Sequence, residues 1–256
     1  MDEVCREIEG LTEKGYCEFV LTGIHVASYG RNSDDDLITL LQMVSDIEGV
    51  ARIRLSSLEP LAFTDEFISA LTKMPKVCPH FHLSLQSGCD ATLRRMGRKY
   101  GTARVLESCR LLREAFPDCA VTTDLIVGFP GETEEEFSAT LAFLRQAGFA
   151  AMHIFPYSRR TGTPAAKMPG QIPNAEKERR AARAGAVERE LRTAYREGFV
   201  GKRLPVLFEQ QDDQGRWTGH APNYIPVAAE GMDLRNQIRD VEITGQEEQG
   251  LLGKLI

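Results

Sequence analysis

The sequence lacks most of what would place it in a membrane, outside a cell or in a metal-finger class. No apolar run in its 256 residues approaches the roughly 20 residues that span a bilayer. The opening Met1-Asp-Glu-Val-Cys-Arg-Glu is no signal peptide, so a cytoplasmic protein with no membrane partner is expected. An excess of cations is missing too. There are 31 Lys/Arg against 37 Asp/Glu, a net charge of −6. That excludes a generic nucleic-acid coat but leaves room for a local basic face. Closely spaced cysteines are absent. Cys5, Cys17, Cys78, Cys89, Cys109 and Cys119 lie ten or more residues apart, which rules out CxxC and CxxxCxxC motifs. They read as reduced, mostly buried thiols. Finally, none of the expected core strands carries a lysine. That argues against the Schiff-base chemistry of a metal-independent aldolase barrel.

What is present has the balance of a globular protein, 42% hydrophobic and 27% charged. Its organising stretch is Val121-Thr-Thr-Asp-Leu-Ile-Val-Gly-Phe-Pro-Gly-Glu-Thr-Glu-Glu-Glu-Phe137. The β-branched start is a strand, and Gly128 and Gly131 around Pro130 end it in a tight turn. Thr133 is an N-cap with Glu136 closing a capping box, and Phe137, Leu141 and Leu144 give the helix an inward face. The same glycines make such a turn with or without a ligand. Glu132, Glu134, Glu135 and Glu136 crowd the helix start, complement its dipole and are expected to repel a phosphate.

The same alternation runs along the chain. Helices are expected at 2–14, after Asp34-Asp-Asp36, at 64–73, 90–97 and 102–116, and strands at 17–23, 52–57, 81–85 and 152–157. Five strands alternating with helices predict an α/β fold, a partial parallel (βα) barrel too short to close at eight strands. A long Arg-rich helix from Asn174 to about Glu197 reads as a solvated linker. After Gly198 the pattern switches to period two (Leu204, Val206, Phe208), as in a small antiparallel β-barrel. The expected domains are therefore 1–173, a linking helix 174–198, and a barrel 199–256.

Several stretches together resemble the radical S-adenosylmethionine (SAM) methylthiotransferases. They are Leu21-Thr-Gly-Ile-His-Val-Ala-Ser-Tyr-Gly30, Arg54-Leu-Ser-Ser-Leu-Glu-Pro60, His82-Leu-Ser-Leu-Gln-Ser-Gly88 with Leu93-Arg-Arg-Met96, Thr123 to Thr133, and Phe155-Pro-Tyr-Ser-Arg-Arg-Thr-Gly-Thr-Pro164. Thr22-Gly-Ile-His25 and Phe155-Pro-Tyr-Ser158 look most like the branch acting on threonylcarbamoyladenosine beside the tRNA anticodon. The tail is similar to that family's RNA-binding TRAM domain. Relatives acting on isopentenyladenosine or a ribosomal protein remain alternatives within the family. A cluster-less RNA-binding or scaffold protein is the alternative outside it.

The resemblance implies SAM bound across the strand ends, two 4Fe–4S clusters in full-length members, and a deoxyadenosyl radical that activates an aromatic C–H for methylthiolation. It implies backbone near Gly23 for the methionyl ammonium. Ser56, Ser57 and Gln86 would serve ribose or carboxylate, with Ser87 and Gly88 also in the SAM site; Asp124, Ile126, Gly128, Phe155, Pro156 and Tyr157 would surround the adenine. His25 reads as a loop hydrogen-bonder. The family's CxxxCxxC motif and N-terminal domain would precede Met1, so the chain reads as a fragment or a late start, inactive alone, with no cluster ligands of its own. The tail carries six Lys/Arg and nine Asp/Glu, so phosphate contacts to tRNA are expected from Arg180, Arg183 and Arg189 instead.

Overall fold

The computed structural model describes residues 1–23, 26–30 and 36–256. His25, Asp34 and Asp35 lie outside the described residues. The chain opens with α1 (Asp2–Thr12), β1 (Glu18–Leu21), α2 (Leu37–Asp46), β2 (Arg52–Leu55) and α3 (Asp65–Thr72). It continues through β3 (His80–Gln86), α4 (Asp90–Arg95), α5 (Thr102–Ala115), β4 (Ala120–Val127), α6 (Glu134–Ala147) and β5 (Ala151–Pro156). A short α7 (Pro164–Lys167) and a long α8 (Asn174–Glu197) follow. The caps form as the sequence dictates. Asp36 accepts the Thr39 N–H, Thr64 accepts that of Phe67, and Thr133 and Glu136 close a full capping box.

All five strands run parallel. β1 pairs with β2, and β3, β4 and β5 form a second ladder in that order. The isolated parallel bridges Ile53↔Val77 and Leu58↔Leu83 join the two. Alternation gives the sheet two faces. Phe19, Ile53, Leu55, Phe81, Leu83, Leu85, Val121, Leu125, Val127 and Met152 are buried in the large core with the helices. The opposite, inner face carries Glu18, Arg52, Arg54, His80, His82, Thr122, Asp124, Ile126, His153 and Phe155 by the same alternation. This is the partial βα barrel, with a polar lumen.

The tail is a closed five-stranded barrel of β6 (Arg203–Gln211), β7 (Trp217–His220), β8 (Pro226–Ala229), β9 (Ile238–Gln246) and β10 (Leu251–Leu255). Its own core holds Val206, Phe208, Val227, Val241, Ile243 and Leu251. One correction concerns strand direction: β8 and β10 pair in parallel, so the barrel is not wholly antiparallel. A second concerns α8. It is no solvated linker, because Ala184 and Val187 are 0% and 2% exposed and belong to the large core. Among the described residues no helix is long and apolar enough to cross a membrane.

The tail is seated on the N-terminal ends of the parallel strands. Arg52 donates to the carbonyls of Pro205 at 2.7 Å and His220 at 3.0 Å. Arg54 donates to those of Pro222 at 2.7 Å and Ala221 at 2.9 Å. Glu18 accepts from both guanidiniums, at 3.3 Å from Arg52 and 2.6 Å from Arg54. Arg54 also lies 4.8 Å from the ring centre of Tyr224, which stacks between His80 and His220. On α8, Arg196 donates to the carbonyls of Glu247, Glu248 and Gln249. Fully buried guanidiniums are expensive unless every N–H is used, and here they are spent on backbone carbonyls of the other unit. Arg54→Met takes away the nearer partner of Glu18 and leaves two buried carbonyls without a donor, so urea unfolding should show a loss of about 3–5 kcal/mol. A loss below about 1 kcal/mol would mean that these hydrogen bonds do not hold the tail.

Candidate functional site

Parallel strands bring their C-terminal ends to one side of the sheet, so Gln86 ends its strand there and Gly23, Ser56, Ser57, Gly128 and Tyr157 follow theirs. Asp124 differs. It sits in mid-strand on the inner face, opposite His153 in the β4–β5 register. One pair higher, Ile126 faces Phe155, which is 50% exposed. Two strand-end hydroxyls, Ser56 Oγ and Tyr157 OH, are buried with no protein partner. Orphaned polar atoms of this kind call for a ligand or an ordered water. Gln86 adopts φ +72° at an irregularity in the β3–β4 ladder, a conformation costly for a side chain other than glycine.

The β4–α6 turn is braced from behind. Gly128 is left-handed at φ +71°, and a Cβ there would lie 2.5 Å from Lys177 Cγ on α8. The buried Glu132 carboxylate accepts the Gly128 N–H at 2.7 Å and Arg180 Nη1 at 2.6 Å. Arg180 also reaches the Glu132 carbonyl at 2.9 Å and Glu176 at 2.8 Å. Lys177 lies 5.3 Å from the ring centre of Tyr157, whose ring packs edge-on to Phe129.

Several expectations change on this geometry. Arg180 is only 5% exposed and committed to carboxylates, so it is withdrawn from the phosphate-binding set. Arg183 pairs with Glu134 at 2.6 Å, while Arg189 is exposed. The acidic helix start is largely neutralised, because Arg180, Arg183 and Arg95 bind Glu132, Glu134 and Glu136; repulsion of an anion there is weaker than the sequence implied. Gly88 is small because α6 lies against it. A Cβ would meet Phe143 Cδ1 at 2.8 Å, and the neighbouring Ser87 is fully buried with its hydroxyl accepting the Cys89 N–H. Gly88 therefore faces the helix layer. Gly23 opens on a cavity of about 490 Å³ between α1 and β1 whose lining includes none of Ser57, Gln86, Asp124 and Tyr157.

Sequence reading missed the lumen histidines. His82 Nε2 lies 3.3 Å from Asp124 Oδ2, and His153 Nδ1 lies 3.5 Å from Oδ1. Thr122 Oγ1 links His82 Nδ1 and His80 Nε2, each at 3.0 Å. The signal was available as the period-two run His80, His82 on β3, opposite Thr122 and near Asp124 on β4. The His82 hydrogen bond holds the Asp124 carboxyl below the usual range. Burial, then the Arg54 charge, pushes His80 down to about 3, so it stays neutral.

The cysteines do not assemble. Cys5 lies in α1, Cys78 just before β3, Cys109 in α5 and Cys119 just before β4, all buried, and burial pushes the last three up to about 11, 11 and 12. Among the described residues no group of three His, Cys, Asp or Glu converges to hold a metal. The residues present do not fit an iron–sulfur cluster. The buried strand-end hydroxyls and the Ile126–Phe155 pair do fit a nucleoside-bearing ligand with polar and flat parts.

His80 also sets a pH response. Its folded pKa is depressed, so the unfolded chain binds the extra proton and stability falls as pH drops from about 6.5 towards 3. Urea midpoints at pH 7 and 5 should differ less for His80→Gln than for the wild type. An equal difference would assign the effect elsewhere.

The comparisons with known proteins agree with this geometry. The Radical SAM superfamily description matches residues 1–144. A threonylcarbamoyladenosine tRNA methylthiotransferase of Bacillus subtilis is 39% identical over 94% of this chain and 55% of its own length. Its Thermotoga maritima counterpart is 35% identical over 96% of this chain and 56% of its own. A tRNA-2-methylthio-N(6)-dimethylallyladenosine synthase of Saccharopolyspora erythraea is 41% identical over 80% of this chain and 42% of its own. The chain thus spans about half the length of the curated relatives it matches. Among solved structures, the coproporphyrinogen III oxidase of Escherichia coli, a radical SAM enzyme, shares the fold at TM-score 0.55 and 15% identity over 88% of this chain and 58% of its own. A family match over more than half the chain, on a partial βα barrel of that fold, settles the assignment: this chain belongs to the radical SAM superfamily.

Proposed function

We propose that this chain is the SAM-binding core of a tRNA methylthiotransferase, acting at C2 of a threonylcarbamoyladenosine beside the anticodon. The observations that support the SAM part are two buried, unpartnered strand-end hydroxyls, Ser56 Oγ after β2 and Tyr157 OH after β5, and the braced Gly128 turn after β4. The nucleoside choice is supported by relatives named for threonylcarbamoyladenosine at 39% and 35% identity over nearly the whole chain. Relatives named for dimethylallyladenosine reach 42%, so the isopentenyladenosine branch is the competing substrate.

In this reading each strand end has a physical task. Carbonyls near Gly23, where a missing side chain permits close approach, take the methionyl ammonium. Ser56, Ser57 and Gln86 hydrogen-bond the ribose or the carboxylate. Ile126 and Phe155 flank the adenine from adjacent strands, and Pro156 and Tyr157 close that side. Asp124 holds the floor below, kept ionised by His82. Gly128 presents backbone at the turn, and Glu132 and Arg180 keep that backbone in place. Bound SAM supplies the radical precursor; the chain's residues bind it, orient it and exclude water. No step is assigned through a cluster, because the cysteines of this chain do not fit one.

The test is SAM binding by calorimetry, run beside anaerobic reconstitution with iron and sulfide. The chain should bind SAM saturably, and Ile126→Lys should weaken binding at least about tenfold while circular dichroism stays unchanged. Reconstitution should give no stable 4Fe–4S signal and no SAM cleavage. Absence of SAM binding would refute the SAM part. A stoichiometric cluster that cleaves SAM would refute the reading that these cysteines do not fit one.

A further inference from the structure

Most helix-borne arginines are paired with carboxylates. Arg110 pairs with Glu107 and Glu114, Arg145 with Glu190, Arg179 with Glu176, Arg183 with Glu134, and Arg192 with Glu188. The strand C-terminal side is different. Arg94 and Lys99 follow β3, Arg160 and Lys167 follow β5, and all four are exposed. None of the four has an ion pair with another described residue.

The segments that carry the two pairs flank one turn. β4 lies between β3 and β5, and its turn carries Gly131. A Cβ on Gly131 would lie 3.6 Å from Arg95 Nε, next to Arg94. A Cβ on Gly170, three residues past Lys167, would lie 3.2 Å from the backbone of Gly131. The carboxylates that would oppose an anion at this turn, Glu132, Glu134 and Glu136, are already bound by arginines. Glu135 remains the exposed exception. The tail, with its excess of acidic residues, is docked at the opposite ends of the strands.

We infer that Arg94, Lys99, Arg160 and Lys167 form a phosphate-binding rim across the mouth of the site, and that this rim holds the RNA backbone on either side of the target nucleoside. The inference rests on the tRNA reading above and deepens it by giving the surface. A polyanion gains from unpaired, exposed cations whose counterions it releases, and gains little from cations already paired. Such interactions are blind to sequence; they set the register in which one nucleotide is presented to the strand ends.

The measurement is binding of an unmodified anticodon stem-loop RNA to the intact chain across a salt series. The variants are Arg94→Gln/Lys99→Gln, Arg160→Gln/Lys167→Gln and the quadruple combination, with Arg235→Gln/Arg239→Gln in the tail for comparison. Each rim pair should weaken binding at least about tenfold at about 0.1 M salt and lower the log–log salt slope by about 0.7–0.9 for each phosphate no longer neutralised. The tail pair should change affinity less than about twofold. All the substituted side chains are at the surface, so unchanged melting curves will confirm folding. RNA binding by the wild type that the rim variants leave intact would overturn the rim while sparing the tRNA reading. No RNA binding by the wild type would overturn both, as would a rim that retains poly-glutamate in preference to RNA.

Discussion

The buried carboxylate of Glu132 is the constraint on which the site depends. It takes the Gly128 N–H on one side and the Arg180 guanidinium on the other, and both partners sit where water cannot replace them. A charge pair so placed contributes little net stability, since desolvation offsets most of the attraction. What it contributes is geometry. The turn after β4 has one acceptable backbone path, left-handed at Gly128, and Lys177 fills the space a side chain would need. The first turns of α8 therefore act on the site from behind, while its last turns, with Arg192, Tyr195 and Arg196, line a cavity shared with His80, His82, Thr122 and His153 of the inner face.

A second set of buried arginines does the same at the far end of the lumen. Arg52 and Arg54 share Glu18 and spend their remaining donors on carbonyls of the tail barrel. The partial barrel is thus closed below by the tail and left open above, where the orphaned hydroxyls are. Between them runs the strip Asp124, His82, Thr122 and His80, which keeps the middle of the lumen polar.

Much of the fold was legible because local signals agreed. The Thr133 capping box, the glycine turn and the period-two strands each had one physical solution, and the helix from Asn174 to Glu197 ends where expected. The placement of arginines was not legible. Arg180 and Arg189 look alike in a charge run, yet one is buried on Glu132 and the other exposed, a difference set by which face of α8 meets the β4–α6 turn. Gly88 was read as ligand-facing because a motif glycine invites that reading; only packing shows that α6 requires it. The parallel β8–β10 pair escaped because strand direction leaves no mark in alternation.

The central claim is that Arg180, through Glu132, fixes the backbone of the strand-end turn. Amide hydrogen exchange at Gly128 reads this directly. In the wild type the amide should be strongly protected; Arg180→Met should expose it by at least about a hundredfold in exchange rate, while amides in the middle of β4 stay protected. Arg180→Lys should restore part of the protection. Equal protection of Gly128 in the wild type and Arg180→Met would contradict the account.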